Sequence, residues 1–387
     1  MVDQRPLYRA RRHGALALVG TAAALLAAGG LALADLVGPP DPTPRSVAAA
    51  VSGPATTPGE VTATAGAGAR PTPSGTRGDA SLPPITLAFA GDTQAYGVAA
   101  RLNEVGLGAA GRLLAQADLA MVNLETAVAR DRSGLTPQPK PFTFVTGPAI
   151  LDTLKAEGVD VVTAANNHTM DFGEEGMRRM LEVKATSPVP MVGLGKDADE
   201  AWAPWTTEVK GRRVVVFGAT DVLDRHLDWK AGPGKLGLAK VMDDDGFARL
   251  LAGVRAARAA GPQDVIVVYL HSGVEKERCP TPRQVYTDKA LAEAGATVVV
   301  GSHAHVLQTT TTVGDTAVAY GLGNFAFGSG SPETLATGVL TVTVPGAGAP
   351  SMRFDPARVT GGLPRLLSGA EREQALRSWQ SRGQGCS

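Results

Sequence analysis

The sequence lacks any imbalance of charge: 37 Lys and Arg stand against 37 Asp and Glu. No global basic field is available to gather nucleic acid, so a nucleic-acid partner is not expected. Cysteine is scarce too. Cys279 and Cys386 are the only two, and their separation matches no zinc-site spacing. In an oxidising compartment they pair; otherwise they are two unrelated thiols, one in a frayed tail, and both readings stay open. Histidine is limited to six residues, and no internal repeat is visible.

One long apolar run is present. From Gly14 to Ala34 there is no charge, and Arg5, Arg9, Arg11 and Arg12 precede it. At roughly 20 residues the run is long enough to span a bilayer, and its basic flank predicts a cytoplasmic N-terminus. The expectation is a cytoplasmic flank over 1–13 and a signal anchor over 14–37, with everything downstream outside the cytoplasm. Ala32-Leu33-Ala34 also reads as a small-residue cleavage site, which makes secretion after signal cleavage the alternative. The run exceeds the usual signal-peptide core of about 7–15 residues, which favours the anchor.

Residues 38–83 are dominated by Pro, Ala, Thr, Gly and Ser and hold too little apolar surface to fold, so they read as a disordered linker. The folded region is expected over 84–345, with 346–387 as a C-terminal extension. Within it, apolar strands alternate with helical segments. Strands are predicted over Ile85–Ala90, Leu119–Val122, Val159–Ala164, Asp264–Leu270, Thr297–Val300 and Thr337–Val344. Helices are predicted over Val98–Gln116, Pro148–Glu157, Glu174–Lys184, Asp243–Ala260 and Pro282–Ala294. Hairpins turn at Lys210-Gly211 and at Gly314-Asp315. The alternation predicts an α/β architecture, and the hairpins make part of the sheet antiparallel.

Five of the apolar strands stop at residues able to bind metal or move protons: Asp92, Glu125, Asn167 with His168, His271, and His303 with His305. Ligands in open α/β sheets bind beyond the carboxyl ends of strands, so groups delivered there by distant segments converge on one rim. Four of the six histidines lie at such ends. Asp92, Glu125, Asn167, His271, His303 and His305 supply oxygen and nitrogen donors without thiolate, a set suited to manganese, iron or zinc. Six protein ligands are too many for one catalytic ion with an open position. They are enough for two divalent ions bridged by a carboxylate and a water, an arrangement that activates a nucleophile. His168 is then free to protonate a leaving oxygen. Each piece has an ordinary structural reading as well. Gly91-Asp92 is a common turn, Asn166-Asn167-His168 a helix approach, Asp171 the start of the next helix, and Gly323-Asn324-Phe325 a plain turn. The conjunction carries the metal reading.

In order, Phe89-Ala90-Gly91-Asp92, Asn123-Leu124-Glu125, Asn166-Asn167-His168-Thr169-Met170-Asp171-Phe172-Gly173, His271-Ser272-Gly273-Val274-Glu275, Gly301-Ser302-His303-Ala304-His305 and Tyr320-Gly321-Leu322-Gly323-Asn324-Phe325-Ala326-Phe327 resemble the motifs of the CapA family of poly-γ-glutamate capsule biosynthesis proteins. That family is similar to the calcineurin-like metallophosphoesterases. The resemblance implies a four-layer α/β/β/α sandwich with mixed sheets and a two-metal site. It implies that Asp92 and His305 bind one metal, Asn167, His271 and His303 the other, and that Glu125 bridges them. His168 takes the general-acid position, with Asp171 as its catalytic companion. Two departures stand out: Gln94 occupies a place where such phosphoesterases carry a histidine ligand, and Ser272 one where relatives carry tryptophan.

The implied function is a membrane-tethered, extracytoplasmic metal-dependent hydrolase in capsule or envelope polymer synthesis or export. Its expected partners are a polyanionic polymer or envelope phosphoester substrate, membrane capsule-synthesis proteins, and the membrane itself through the N-terminal helix. A non-catalytic polymer-binding component and a general extracytoplasmic phosphatase or nucleotidase are the alternatives.

Overall fold

Strand Ile85–Thr93 sets the architecture because both of its faces are apolar. Ile85, Leu87 and Phe89 point one way, Ala88 and Ala90 the other, and all are buried. The computed structural model describes residues 82–386 apart from Arg225 and Ser329. The expected flank (1–13), membrane segment (14–37) and all but the end of the linker (38–83) lie outside these residues. Among the described residues no helix is long and apolar enough to cross a membrane.

Around this strand grows a mixed sheet of eight strands. On one side Leu119–Leu124, Val161–Thr163 and Met191–Val192 add in parallel. On the other, Ala336–Val344, Ser351–Thr360 and Leu363–Leu366 add antiparallel. Asn324–Ala326 pairs in parallel with the end of the first strand. A second sheet of six strands has a parallel centre of Arg212–Thr220, Val265–Ser272, Val298–His303 and Thr316–Ala319. Antiparallel strands Trp205–Val209 and Thr310–Val313 close its two edges.

The two sheets pack face to face. Ile85, Leu87, Phe89 and Met121 of the first meet Val214, Val216, Val267, Val298 and Val300 of the second. Tyr269, fully buried there, donates its hydroxyl to the Ala90 carbonyl at 2.8 Å, which satisfies its polar tip inside the apolar interlayer. Helices cover the outer faces. Ile150, Leu154, Met177 and Met180 pack on the first sheet, and Leu250, Val254 and Leu291 on the second. The layers therefore run α/β/β/α.

Two expectations need correction. The helix expected over Val98–Gln116 is broken into a 3-10 turn at Gly97–Arg101 and helices Leu102–Val105 and Ala109–Ala115. Gly106 and Gly108 interrupt it at φ of 67° and 59°, a left-handed backbone that no helix continues through. The segment set apart as an extension, 346–387, belongs to the fold. Strand Ser351–Thr360 pairs along Ala336–Val344, and helix Gly369–Gln380 stacks Trp379 on Phe354 with ring centroids 4.7 Å apart. Its charged residues hide a strand whose Phe354, Ala357 and Val359 are buried.

The chain end is pinned by a Cys279–Cys386 disulfide, which resolves the two open readings of the cysteines. The bridge spans a sequence separation of 107 residues, so Cys386→Ser is expected to lower stability by about 2–4 kcal/mol through the freedom restored to the unfolded chain. Urea unfolding followed by tryptophan fluorescence measures this, and an unchanged midpoint would refute it.

Candidate metal centre

The parallel strands of both sheets deliver their carboxyl ends to one rim. Asp92 ends the first strand, Glu125 follows Leu119–Leu124, and Asn166-Asn167-His168 follow Val161–Thr163. From the second sheet come His271 in Val265–Ser272 and His303 at the end of Val298–His303, with His305 just beyond. Contact between the ends is direct. The His303 backbone N–H donates to Asp92 Oδ2 at 3.3 Å. Gly91 is required for the approach on the other flank, because a Cβ there would sit 1.8 Å from the Gly323 carbonyl oxygen. That oxygen accepts the Asp92 N–H at 2.9 Å.

Two groups of donor atoms result, each with all members within 4.8 Å: Glu125, His303 and His305, and Asp92, Glu125 and His271. Glu125 belongs to both. His303 falls with His305 and His271 with Asp92, whereas the expected partition set His305 with Asp92 and His303 with His271. Asn167 joins through its Oδ1, 2.9 Å from His271 Nε2. Glu125 is fully buried, yet neither carboxylate oxygen has a hydrogen-bond partner among the described residues. His303 Nδ1 is likewise unpartnered. Buried polar atoms are nearly always paired, so unpaired oxygens beside an unpaired imidazole nitrogen are the atoms a divalent cation would satisfy.

The electrostatics agree for His271 and His303. Burial, reinforced by neighbouring His303, holds His271 well below the usual histidine range. Burial and neighbouring His305 bring His303 down to about 3. Both are neutral and able to ligate. Burial pushes Glu125 well above the ordinary carboxylate range, with nearby Asp92 adding to it. For Asp92 burial acts upward, but the hydrogen bond and charge of His305 outweigh it and hold the group well below its usual value. For His305 burial acts downward, while Glu125 and Asp92 raise it to about 10. A proton on His305 thus supplies positive charge beside the Asp92 carboxylate, 3.3 Å from its Nδ1. His303 and His305 also hold φ of 96° and 55°. Non-glycine residues in this region cost about 1 kcal/mol or more each, a strain concentrated where the two imidazoles enter the site.

His168 stands beside the cluster as part of a different network. Its Nδ1 lies 2.8 Å from Asp171 Oδ2. Asp171 also accepts the Phe144 N–H at 2.6 Å and pairs with Lys140 at 2.9 Å. Lys140 further donates to the Asn167 carbonyl at 2.6 Å. Burial lowers the His168 pKa against the opposing pull of Asp171. A cavity of about 380 Å³ opens in front of His168 and His305 and is walled by Phe142, Phe144 and Phe327.

Several site residues escaped sequence reasoning. Asn123 Nδ2 reaches Asp92 Oδ1 at 2.8 Å and His271 Nδ1 at 3.1 Å. Asn166 Nδ2 donates to Asn123 Oδ1, while Asn166 Oδ1 accepts the His168 and Thr169 N–H groups. Ser302 Oγ lies 3.0 Å from His271 Nδ1, and Asn324 Oδ1 2.9 Å from His305 Nδ1. These four stand inside the motifs and were readable as second partners of the histidines. Lys140 sits in a loop without pattern and left no signal. Gln94 is buried, and its Oε1 accepts the Tyr96 N–H at 2.6 Å, so its oxygen is committed to its own loop.

Comparison with known proteins identifies a family and relatives. The family model described as bacterial capsule synthesis protein PGA_cap matches residues 86–329. The capsule biosynthesis protein CapA of Bacillus anthracis is 28% identical over 218 residues, covering 56% of this chain and 52% of that protein. The PGA biosynthesis protein CapA of Bacillus subtilis is 32% identical over 183 residues, 47% of this chain and 46% of that one. The chain thus spans about half the length of these curated relatives. Among solved structures, a phosphatase from Mycoplasma pneumoniae aligns with TM-score 0.45 and 13% identity, over 76% of this chain and 97% of that one.

An unsatisfied buried carboxylate should weaken the metal-free protein. Glu125→Gln keeps the volume and offers an amide N–H toward Asp92, so it is expected to raise metal-free stability by about 1–3 kcal/mol. The same substitution should abolish stabilisation by added divalent metal. Denaturation with and without metal reads both effects, and a metal-free variant no more stable than the parent would show that Glu125 is not strained.

Proposed function

We propose, from the premise that the chain belongs to the bacterial capsule synthesis PGA_cap family, that it is an extracytoplasmic metal-dependent hydrolase serving capsule or envelope polymer synthesis. The observation that carries this reading is the buried Glu125 carboxyl group, which has no hydrogen bond among the described residues and is shared by two donor groups, with a His168–Asp171 pair alongside. A pure scaffold has no use for the second. Tethering through 14–37 belongs to the same proposal, and the Cys279–Cys386 bridge supports an oxidising compartment.

Two divalent ions, of manganese, iron or zinc, would be held by Asp92, Glu125, Asn167, His271, His303 and His305. Once bound, such ions supply Lewis acidity and lower the pKa of water. The remaining work falls to the chain. Asp171 holds Nδ1 of His168, which leaves Nε2 to carry the proton delivered to a leaving oxygen or nitrogen. Burial lowers the His168 pKa, which makes its imidazolium a stronger acid but a less populated one, and Asp171 opposes that loss. Phe144 packs against the imidazole at a centroid distance of 4.4 Å and limits its rotation. Lys140 balances Asp171 and, through the Asn167 carbonyl, ties the acid to a candidate ligand. The centre attacked is an envelope phosphoester or a γ-glutamyl carbonyl, since the same chemistry serves both.

A second reading has its own support. Gln94 stands at an expected ligand position and is turned to Tyr96 N–H, which favours a polymer-binding or assembly component with a weakened first metal site. A general phosphatase would share the ligands but not the family.

Metal content and turnover separate these readings. The purified chain is expected to bind one to two divalent ions by elemental analysis and to hydrolyse a generic phosphodiester or a γ-glutamyl amide. His168→Ala should keep the metal and lose about 10²–10⁴-fold in rate. Absence of stoichiometric metal ends the enzyme reading, and metal without turnover leaves the binding one.

A further inference from the structure

At the opposite end of the sandwich, roughly 25 Å from the metal centre along the nine residues of Arg212–Thr220, lies a larger cavity of about 620 Å³. Two guanidinium groups line it, and neither has an ion-pair partner among the described residues. Arg212 is only 6% exposed. Its Nη1 donates to the Val344 and Pro345 carbonyls at 3.1 and 2.9 Å, and its Nε has no partner. Arg258 spends its donors on the Gly295, Gly261, Pro262 and Asp264 carbonyls and on Thr297 Oγ1. These acceptors satisfy hydrogen bonding but leave both charges unneutralised.

The acids nearby do not cancel them. Asp264, the carboxylate that acts on Arg258, already gives its Oδ2 to Arg213 at 2.7 Å. Glu293 pairs with Lys289 at 3.8 Å, and it and Asp315 are solvent-exposed. Like charges held together at a cavity wall, with burial acting against both, are relieved by an anion. Arg258 contributes charge alone, its donors being spent, and the Arg212 guanidinium, bonded only through Nη1, is the group left to meet a carboxylate or phosphate oxygen. We propose that this cavity is a second ligand site, separate from the metal centre, that takes an oxyanion, the carboxylate or phosphate group of a small anion or of an acidic polymer.

The test uses the full chain carrying His303→Ala, which silences the metal centre, in the presence of chelator. Binding of inorganic phosphate and of a short γ-linked glutamate oligomer is measured by calorimetry. At least one is expected to bind, and Arg212→Gln should weaken it by at least about tenfold. Because Arg212 also ties down the 344–345 carbonyls, Ala347→Glu provides a second variant. Ala347 is exposed on the cavity lining, so a carboxylate there leaves the core intact and should impair binding to a similar degree. Phosphate bound as well as the oligomer identifies a free anion as the ligand, and a clear preference for the oligomer identifies an acidic polymer. The proposal is overturned if neither probe binds, or if a bound probe is held equally well by the Ala347→Glu variant.

Discussion

The apolar interlayer between the two sheets is the contact on which everything else rests. Stacked sheets sit about 10 Å apart, and this spacing lets side chains at the ends of one sheet reach those of the other. Phe89, Met121 and Val161 against Val214, Val267 and Val300 hold that distance. Tyr269 adds one polar tie, to the Ala90 carbonyl two residues before Asp92. Because the central strands of each sheet are parallel, their carboxyl ends gather on one side. Asp92 and Glu125 are thereby brought against His271, His303 and His305.

What gathers there is unfavourable for a protein without a cation. Glu125 makes no hydrogen bond among the described residues, with His271 Nε2 no nearer than 3.5 Å, Asp92 stands beside it, and two histidines adopt left-handed backbone to enter the cluster. The charge on His305 and the amide of Asn123 offset part of this cost. Such local strain persists only where the surrounding structure over-determines it.

The His168–Asp171 pair is built separately from the candidate metal ligands but joined to them. Asn166 caps the turn that presents His168 and also reaches Asn123, which holds Asp92. Lys140 links Asp171 to the Asn167 carbonyl. Asn166-Asn167-His168 is thus a turn whose side chains also reach the candidate metal cluster. The far pole of the sandwich has a different character, with the donors of Arg212 and Arg258 directed at main-chain carbonyls.

Much of the site was legible in the order of residues, because β-branched runs must become strands and each run ended in a donor: Asp92, Glu125, Asn167, His271, His303. Local patterning also determined the parallel α/β plan and the hairpin at Lys210-Gly211. Tertiary structure alone decided the rest. The pairing of Cys279 with Cys386, the sheet strand hidden in 351–360, the entry of Lys140 and the grouping of His303 with His305 all depend on distances between segments far apart in the chain. Periodicity records which face of an element is apolar, whereas the contacts between elements follow from packing, which only the assembled layers contain.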